Sequence, residues 1–345
     1  MIRQRIKTGL LLIFAWSVVQ IPIYAHGRFL LMEWNVENLY DTCHNMGVDD
    51  YAFLPEGAYK WTERRYLHKL RLMAQTIASA GEVSPVDLVA MCEVENDSVM
   101  MQFTRRSILG RLGYQYVMTH SPDLRGMNVA LIYQPGRFKP IDVRTIRIPP
   151  KGKDRPTRDI LHVAGILPTM DTMDVYVCHL PSRSGGQFVT DSYRKRGAEL
   201  IKKSIDSVFI HRIKPLVVVT GDFNDEPQNN SLRKGLRAKP ISEANMIVDN
   251  EMYILSDGLK TRKGVEGTYF YQGRWNRLDH VLVNGGLLKP DSSFRLGTQR
   301  CSILDFSWLL KKDSKGRLVP KRTFLGAFYQ GGVSDHLPLL TYFEF

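Results

Sequence analysis

The chain has 345 residues, 43% of them hydrophobic and 24% charged, with a formal net charge of +12. This is a globular composition, long enough to bury a sizeable core, and no repeat, heptad run or low-complexity tract supports a solenoid or fibrous class. The basic balance draws such a chain to polyanions, and nucleic acid or an anionic membrane surface would both serve.

The first 25 residues stand apart. Arg3, Arg5 and Lys7 precede the apolar run Gly9–Trp16, and Ile23-Tyr24-Ala25 ends on a small residue. A cationic start, an apolar middle and a small residue at the cut make a secretory signal over residues 1–25. Pro22 and the short apolar core weigh against a membrane anchor. His26, not Cys, stands directly after the expected cut, so a lipoprotein is not indicated. Export to the periplasm or the medium is the expectation, and the remaining chain would keep a charge of +9.

Beyond the signal, apolar strand-like runs recur at Phe29–Val36, Asp87–Val94, Asn128–Tyr133, Ile160–Leu167, Met173–Leu180 and Leu216–Gly221. Several are continuous, as expected for a sheet covered on both faces. Helical periodicity falls between some of them: Thr62–Ala80 with Gly81 as the stop, Ser98–Leu112 ending at Gly113, and Thr190–His211. Between Met127 and Leu180 strands follow one another almost directly, and Pro149-Pro150-Lys151-Gly152-Lys153 reads as an exposed loop. Helix-separated and sequential strands together predict an α+β architecture with mixed sheets. No linker interrupts the chain, so residues 27–345 read as one catalytic domain. The four cysteines, Cys43, Cys92, Cys178 and Cys301, show no Cys-x-x-Cys spacing. They are expected to be mostly buried free thiols, with a bridge left open by export.

The polar residues that carry chemistry share one position, the C-terminal end of an apolar strand. Asn35, Glu93, His179 and Asp222 all sit there. One such residue is usually a loop anchor, but four with amide, carboxylate and imidazole groups form a plausible constellation on a rigid base. Carboxylate and amide oxygens suit a hard cation such as Mg²⁺ or Mn²⁺, with Ca²⁺ as a further option. Histidines beside Asp suit proton transfer and stabilisation of an oxyanion. No phosphate-binding Gly-rich loop with Lys and Ser/Thr is present, which disfavours a motor or kinase. No Gly-x-Ser-x-Gly elbow marks a serine esterase.

Six blocks then occur in a telling order: Trp34-Asn35-Val36-Glu37-Asn38, Cys92-Glu93-Val94-Glu95, His179-Leu180-Pro181-Ser182-Arg183, Gly221-Asp222-Phe223-Asn224-Asp225, Arg277-Leu278-Asp279-His280 and Ser334-Asp335-His336. The chain resembles the endonuclease/exonuclease/phosphatase, or deoxyribonuclease I-like, superfamily over nearly all of its length beyond the signal. The resemblance implies a four-layer α/β/β/α sandwich, with two mixed sheets face to face and helices outside. It implies Glu93 as the principal metal ligand, Asn35 supporting the metal or the phosphate beside it, and Asp335 as a second metal-side carboxylate. Asp222 would activate the attacking water, Asn224 would hold a phosphate oxygen, and His336 would contact the scissile phosphate with Asp279 orienting it. His179 resembles the second histidine of the deoxyribonuclease-like and sphingomyelinase-like branches, where it would protonate the leaving group. Asp123 is the candidate to tune His179. Arg125 is a candidate phosphate partner, and Arg183 and Trp275 are candidates to line the substrate groove with Tyr269 and Tyr271.

The expected activity is metal-dependent hydrolysis of phosphodiesters, with a nucleic acid as first-choice substrate. A sphingomyelinase-like enzyme acting on choline or anionic lipid is the alternative. No obligate protein partner is indicated. The inositol phosphatase branch is disfavoured, because Thr220 precedes Gly221 and Leu278-Asp279-His280 replaces its Cys-Asp-Arg block. A non-catalytic module keeping the fold would lack one of Glu93, Asp222, Asn224, Asp279 or His336, and none is missing. One departure bears on tuning: Asn128 stands where close relatives of this kind would carry Asp.

Overall fold

A computed structural model describes residues 27–345 apart from Val83. The proposed signal over residues 1–25 lies outside the described residues. The chain opens with β1 (Arg28–Leu39), α1 (Glu63–Ala80), β2 (Leu88–Val94), α2 (Asp97–Arg106), β3 (Gln115–Met118) and β4 (Asn128–Tyr133). β5 (Lys139–Ile146), β6 (Ile160–Ile166), β7 (Thr172–His179), α3 (Asp191–His211) and β8 (Leu216–Asp222) follow. Next come β9 (Lys239–Pro240), β10 (Met252–Ile254), the hairpin β11 (Tyr269–Tyr271) and β12 (Arg274–Asn276), β13 (Asp279–Asn284) and β14 (Arg295–Ile303). Two small hairpins, β15 (Leu310–Lys312) with β16 (Leu318–Pro320) and β17 (Phe324–Leu325) with β18 (Phe328–Tyr329), precede the closing strand β19 (Leu339–Glu344).

Two mixed sheets dominate, in the orders β14-β19-β1-β2-β4-β3 and β5-β6-β7-β8-β13-β10-β9. Side-chain alternation explains how they pack. In β8, Val217 and Val219 join a cluster with Ile201 and Ile205 of α3, while Val218 joins the larger cluster that fills the space between the sheets. Val175, Val177, Val281 and Val283 face that same inter-sheet core. Helix α1 presents Tyr66, Leu70, Met73 and Ile77 to the first sheet, and α3 covers the second. The result is the expected α/β/β/α sandwich. The central strands of each sheet are buried on both faces, as their continuous apolar runs require.

One predicted helix is shorter than its periodicity promised. The stretch expected as a single helix to Leu112 breaks at Ser107, which adopts an extended conformation. Its hydroxyl accepts the Leu109 N–H, capping a separate 3-10 turn over Ile108–Leu112 that ends at Gly113 with φ 73°. A local hydroxyl–backbone bond thus competes successfully with helix propagation. The cysteines are free thiols, three buried and Cys43 exposed. Among the described residues no helix is long and apolar enough to cross a membrane.

A carboxylate lies deep in the inter-sheet core. Glu33 is fully buried, and neither of its oxygens has a hydrogen-bond partner. Burial, reinforced by Asp279 and Asp222, holds its pKa well above the ordinary glutamate value of 4.5, so the fold keeps its proton. Folding therefore takes up a proton at pH values where the unfolded chain has lost it, and stability falls as pH rises from the unfolded towards the folded pKa. Glu33→Gln removes this dependence. The variant's unfolding free energy relative to the parent should improve by up to about 1.4 kcal/mol per pH unit above about pH 5. Parallel urea titrations across pH test this, and a difference that does not change with pH would refute the buried proton.

Candidate active site

The second sheet sets three side chains in one transverse row. β7 runs parallel to β8 with His179 opposite Asp222, and β13 runs antiparallel to β8 with Asp279 opposite Asp222. The three residues continue the inward-facing parity of Val175, Val177, Val218, Val281 and Val283, so they point toward the other sheet where the apolar core ends. Gly221 is required beneath this row: its φ is 134°, and a Cβ there would lie 1.9 Å from the Cys178 carbonyl oxygen.

The first sheet supplies the facing groups. Asn35 Nδ2 donates across the gap to Asp222 Oδ2 at 2.9 Å, and Asn35 Oδ1 accepts the Glu37 N–H. Glu93 arrives less directly. It follows Cys92, whose thiol donates to the Cys178 carbonyl across the inter-sheet space. Simple alternation would turn Glu93 to the outer face, but the pairing register shifts between Cys92 and Val94 and Glu93 adopts φ 65°. This bulge swings the carboxylate into the cleft, where Oε2 accepts the Asn38 N–H at 2.7 Å and Oε1 lies 3.9 Å from His179 Nε2. A non-glycine residue held at positive φ is a local cost of the kind found at functional sites.

The Ser334-Asp335-His336 block is pinned to β1. Ser334 Oγ donates to the Asn35 carbonyl at 2.6 Å and accepts the His336 N–H, while Trp34 Nε1 donates to the His336 carbonyl. His336 Nδ1 then meets Asp279 Oδ2 at 2.7 Å, and Thr268 Oγ1 donates to that same oxygen. Burial opposes a charge on His336, but Asp279, Asp222 and Asp335 outweigh it and hold its pKa well above the ordinary value. His336 is therefore a cation at neutral pH. Its Nε2 is 3.9 Å from Asp222 Oδ2. Burial raises Asp222 to about 7, with Asp279 adding to the rise, while His336, the Asn224 N–H and Asn35 oppose it.

His179 behaves differently. Its Nε2 lies 3.5 Å from Asp222 Oδ2, but its buried Nδ1 has no partner. Burial, with the cations Arg158 and Arg125 nearby, pushes its pKa well below the usual value, so it is neutral. The expected tuning by Asp123 does not occur. Asp123 instead accepts from the buried Arg158 NH1 at 3.3 Å and pairs with the more exposed Arg125 at 3.7 Å. Asn128 is a strut: its amide donates to the Glu95 and Gly126 carbonyls, and its oxygen accepts the Ser121 N–H.

Asn35, Glu93, Arg125, His179, Arg183, Asp222, Asn224, Asp335 and His336 all line one cleft of about 1090 Å³. Asp279 supports it from beneath. Asn224 orients Asp222 through its N–H at 2.7 Å and gives one amide hydrogen to the Leu180 carbonyl, leaving the other free. Arg183 is committed mainly to bracing the loop, donating to the Asn224 carbonyl at 2.6 Å and Asn229 Oδ1 at 3.0 Å. Asp335 faces the cleft with Oδ2 held by Arg322 at 2.5 Å. Trp275 does not line the cleft. It pairs with Phe270 across the β11–β12 hairpin and packs on that ring at 5.2 Å, so strand alternation puts both on the face away from the site. Tyr269 and Tyr271 occupy the cleft face instead.

Sequence reasoning missed Glu33, Glu37, Arg158 and Arg322. Glu37 and Asn38 hold φ 51° and 50° where the β1–β2 register shifts, so strand alternation does not place Glu37 in the cleft either. Arg158 and Arg322 carry no motif, and only tertiary contact reveals them.

The donor set fits a hard divalent cation. Asp222, Asp279 and His336 bring ligand atoms within 4.8 Å of one another, but His336 and Asp279 already satisfy each other. Glu93 Oε1 makes no hydrogen bond, and with the Asn35 amide oxygen it offers the oxygen ligands such a cation prefers.

The family model described as the endonuclease/exonuclease/phosphatase family matches residues 31–345. Among solved structures, an endonuclease/exonuclease/phosphatase family protein from Bacteroides thetaiotaomicron is similar at 16% identity, covering 93% of this chain and 99% of that one, with a TM-score of 0.58. A mannosyl-6-phosphatase from the same organism is similar at 15% identity, 92% and 100% coverage and a TM-score of 0.58. D. rerio TDP2 complexed with a single-strand DNA product is similar at 13% identity, 92% and 98% coverage and a TM-score of 0.55. No curated protein matches the chain. With a match that spans nearly all the described residues and a sandwich whose sheet edges gather the family's blocks, the chain belongs to the endonuclease/exonuclease/phosphatase family.

Proposed function

We propose that this phosphoesterase is a metal-dependent phosphodiesterase acting on nucleic acid, exported from the cytoplasm by its N-terminal signal. The observation that carries the reading is the pair of buried imidazoles flanking Asp222, His336 on Asp279 and His179 with a bare Nδ1, with the Glu93 carboxylate opposite. A phosphodiester is an anion that repels an attacking hydroxide, so its hydrolysis needs positive charge on the phosphate oxygens and a base for the water. His336, kept cationic by Asp279, donates a charge-assisted hydrogen bond from Nε2 to a phosphate oxygen. Asp222 takes the proton of the attacking water; a pKa near neutrality suits a base at physiological pH. Asn35 Nδ2 and the Asn224 N–H fix the Asp222 carboxylate in position, and the free amide hydrogen of Asn224 is available to a second phosphate oxygen. His179, entering neutral, offers an Nε2 hydrogen bond to the ester oxygen, and the diester monoanion raises its proton affinity. As water's oxygen bonds to phosphorus the ester P–O bond breaks, the departing oxygen takes a proton through His179, and the proton held by Asp222, 3.5 Å away, makes up the loss. Glu93 with Asn35 would hold Mg²⁺ or Mn²⁺, which supplies charge neutralisation at the phosphate.

Arg125 at the cleft wall, with 44% of its side chain exposed, and the overall basic charge support a polyanionic substrate. The single-strand DNA product held by the TDP2 relative is compatible with this choice. The test is a substrate panel: DNA, RNA, sphingomyelin, phosphomonoesters including a mannose 6-phosphate, each with Mg²⁺, Mn²⁺, Ca²⁺ or chelator. Chelator-sensitive cleavage of DNA or RNA is the expected outcome. Turnover of lipid or of monoesters alone would overturn the nuclease reading, and no metal-dependent turnover at all would overturn the phosphodiesterase.

A further inference from the structure

The β11–β12 hairpin has an unusual construction for a peripheral element. Its two-residue loop, Gln272 and Gly273, has φ 47° and 85°, the pattern of a type I′ turn that matches strand twist and holds a hairpin rigid. Its outer face is clamped: Phe270 packs on Trp275 and lies under the Arg317 guanidinium at 5.2 Å, and Arg317 NH1 also donates to the Gly273 carbonyl. Its cleft face carries two rings, Tyr269 and Tyr271, which extend a stack that begins at His336. Tyr269 stacks on His336 at 4.7 Å with the planes 30° apart and bridges to it through the backbone, and Tyr271 follows Tyr269 at 6.1 Å and 17°. Tyr271 ends the series with 54% of its surface exposed, within the cleft. An exposed, pre-oriented aromatic face beside a phosphate-binding histidine has little structural purpose of its own.

The sheet order shows what lies on the other side. The loop between β5 and β6 adjoins the His179 end of the row, whereas the hairpin leads directly into Asp279 at the opposite end. That loop lines the cleft with Lys153 and Arg155, both exposed and neither ion-paired among the described residues. The row of catalytic groups thus separates a basic wall from an aromatic one.

We propose that Tyr271, backed by Tyr269, is a base-stacking subsite, and that the enzyme acts on single-stranded nucleic acid laid across the row with its backbone toward Lys153 and Arg155. This rests on the nuclease reading and deepens it. A tyrosine face receives any base, because every base has a π-face, but only where the base has left a duplex stack. The hairpin is preformed, so its ring costs little entropy to bind.

The test uses the mature enzyme on labelled oligonucleotides that are single-stranded, duplexed, or single-stranded with abasic residues on one side of the cleavage site at a time. The wild type should prefer the single strand. Tyr271→Leu should raise KM on it by about 5- to 100-fold with a much smaller change in kcat, and Tyr271→Phe should restore KM to within about two-fold. One abasic placement should raise the wild-type KM to the same extent and add nothing to Tyr271→Leu, because the two changes remove one contact. Cleavage that is indifferent to Tyr271→Leu, or additive penalties from the two changes, overturns the subsite and leaves the nuclease intact. Wild-type preference for duplex overturns the single-strand assignment. An enzyme that hydrolyses bis(p-nitrophenyl) phosphate but cuts no oligonucleotide overturns the nuclease reading and this subsite together.

Discussion

His336→Ala is expected to lose about three orders of magnitude in kcat/KM on a phosphodiester, because it removes a cationic donor that the site holds in place before substrate arrives. The substitution also strips Asp279 of its imidazolium partner and leaves only the Thr268 hydroxyl on that oxygen. A buried carboxylate without its cation is destabilising, so the melting temperature should fall by a few degrees. His336→Gln separates the two effects, because its amide fills the space and donates a hydrogen bond without charge. It should be nearly as inactive and melt closer to the parent. Asp279→Asn tests the source of the charge. Burial alone lowers the His336 pKa, and Asp279 is the leading group that reverses this. Without the carboxylate, His336 should lose its proton at lower pH, so the alkaline limb of the pH–rate profile should move toward acid. An unshifted limb would refute the His336–Asp279 pairing as the origin of the cation.

Asp222→Asn should be as inactive as His336→Ala, yet more stable than the parent at alkaline pH. The sign follows from the carboxyl's environment. Its pKa rises from 3.8 to about 7 on folding, burial being the main cause. Between those values the unfolded chain ionises the group while the fold resists doing so, and the parent loses stability as pH rises. Asparagine has no proton to lose, but its single carbonyl oxygen can keep only one of the two bonds that the carboxylate accepts from Asn35 Nδ2 and the Asn224 N–H, and the lost one subtracts from the gain. The gain above neutrality should be on the order of a few kcal/mol at most, reduced by the lost attraction to His336. Chemical denaturation in chelator at acid and alkaline pH measures it. A variant less stable than the parent at both would show that Asp222 holds the fold together, and would weaken its reading as a group placed for chemistry at the expense of stability.

Much of this was legible in the sequence because strand ends are legible. The apolar runs before Asn35, Glu93, His179 and Asp222 marked the places where side chains leave a packed core, and the family blocks ordered them. His336 and Asp279 were named as partners from those blocks, and they meet at 2.7 Å. The failures share a cause as well. Trp275 neighbours Arg277-Leu278-Asp279 in sequence, but pairing with Phe270 assigns it to the opposite face. Asp123 lies in a loop just before a strand, but there two arginines, Arg158 and Arg125, claim it before His179 can.

The sequence by itself determined the architecture and the inventory of chemical groups. Hydrophobic periodicity is local, and a two-sided sheet leaves the same signature wherever it packs. Only the tertiary structure decided charge states and direction. His179 and His336 are the same side chain at similar depth, yet burial lowers the pKa of one while Asp279 raises that of the other, because one Nδ1 is bare and the other meets Asp279. Glu93 reaches the cleft only because a register shift and a positive φ reverse its alternation, and neither is written in the residues Cys92-Glu93-Val94. Such properties arise from distances across the sheets, where an ion pair or a bulge depends on a strand far away in the chain.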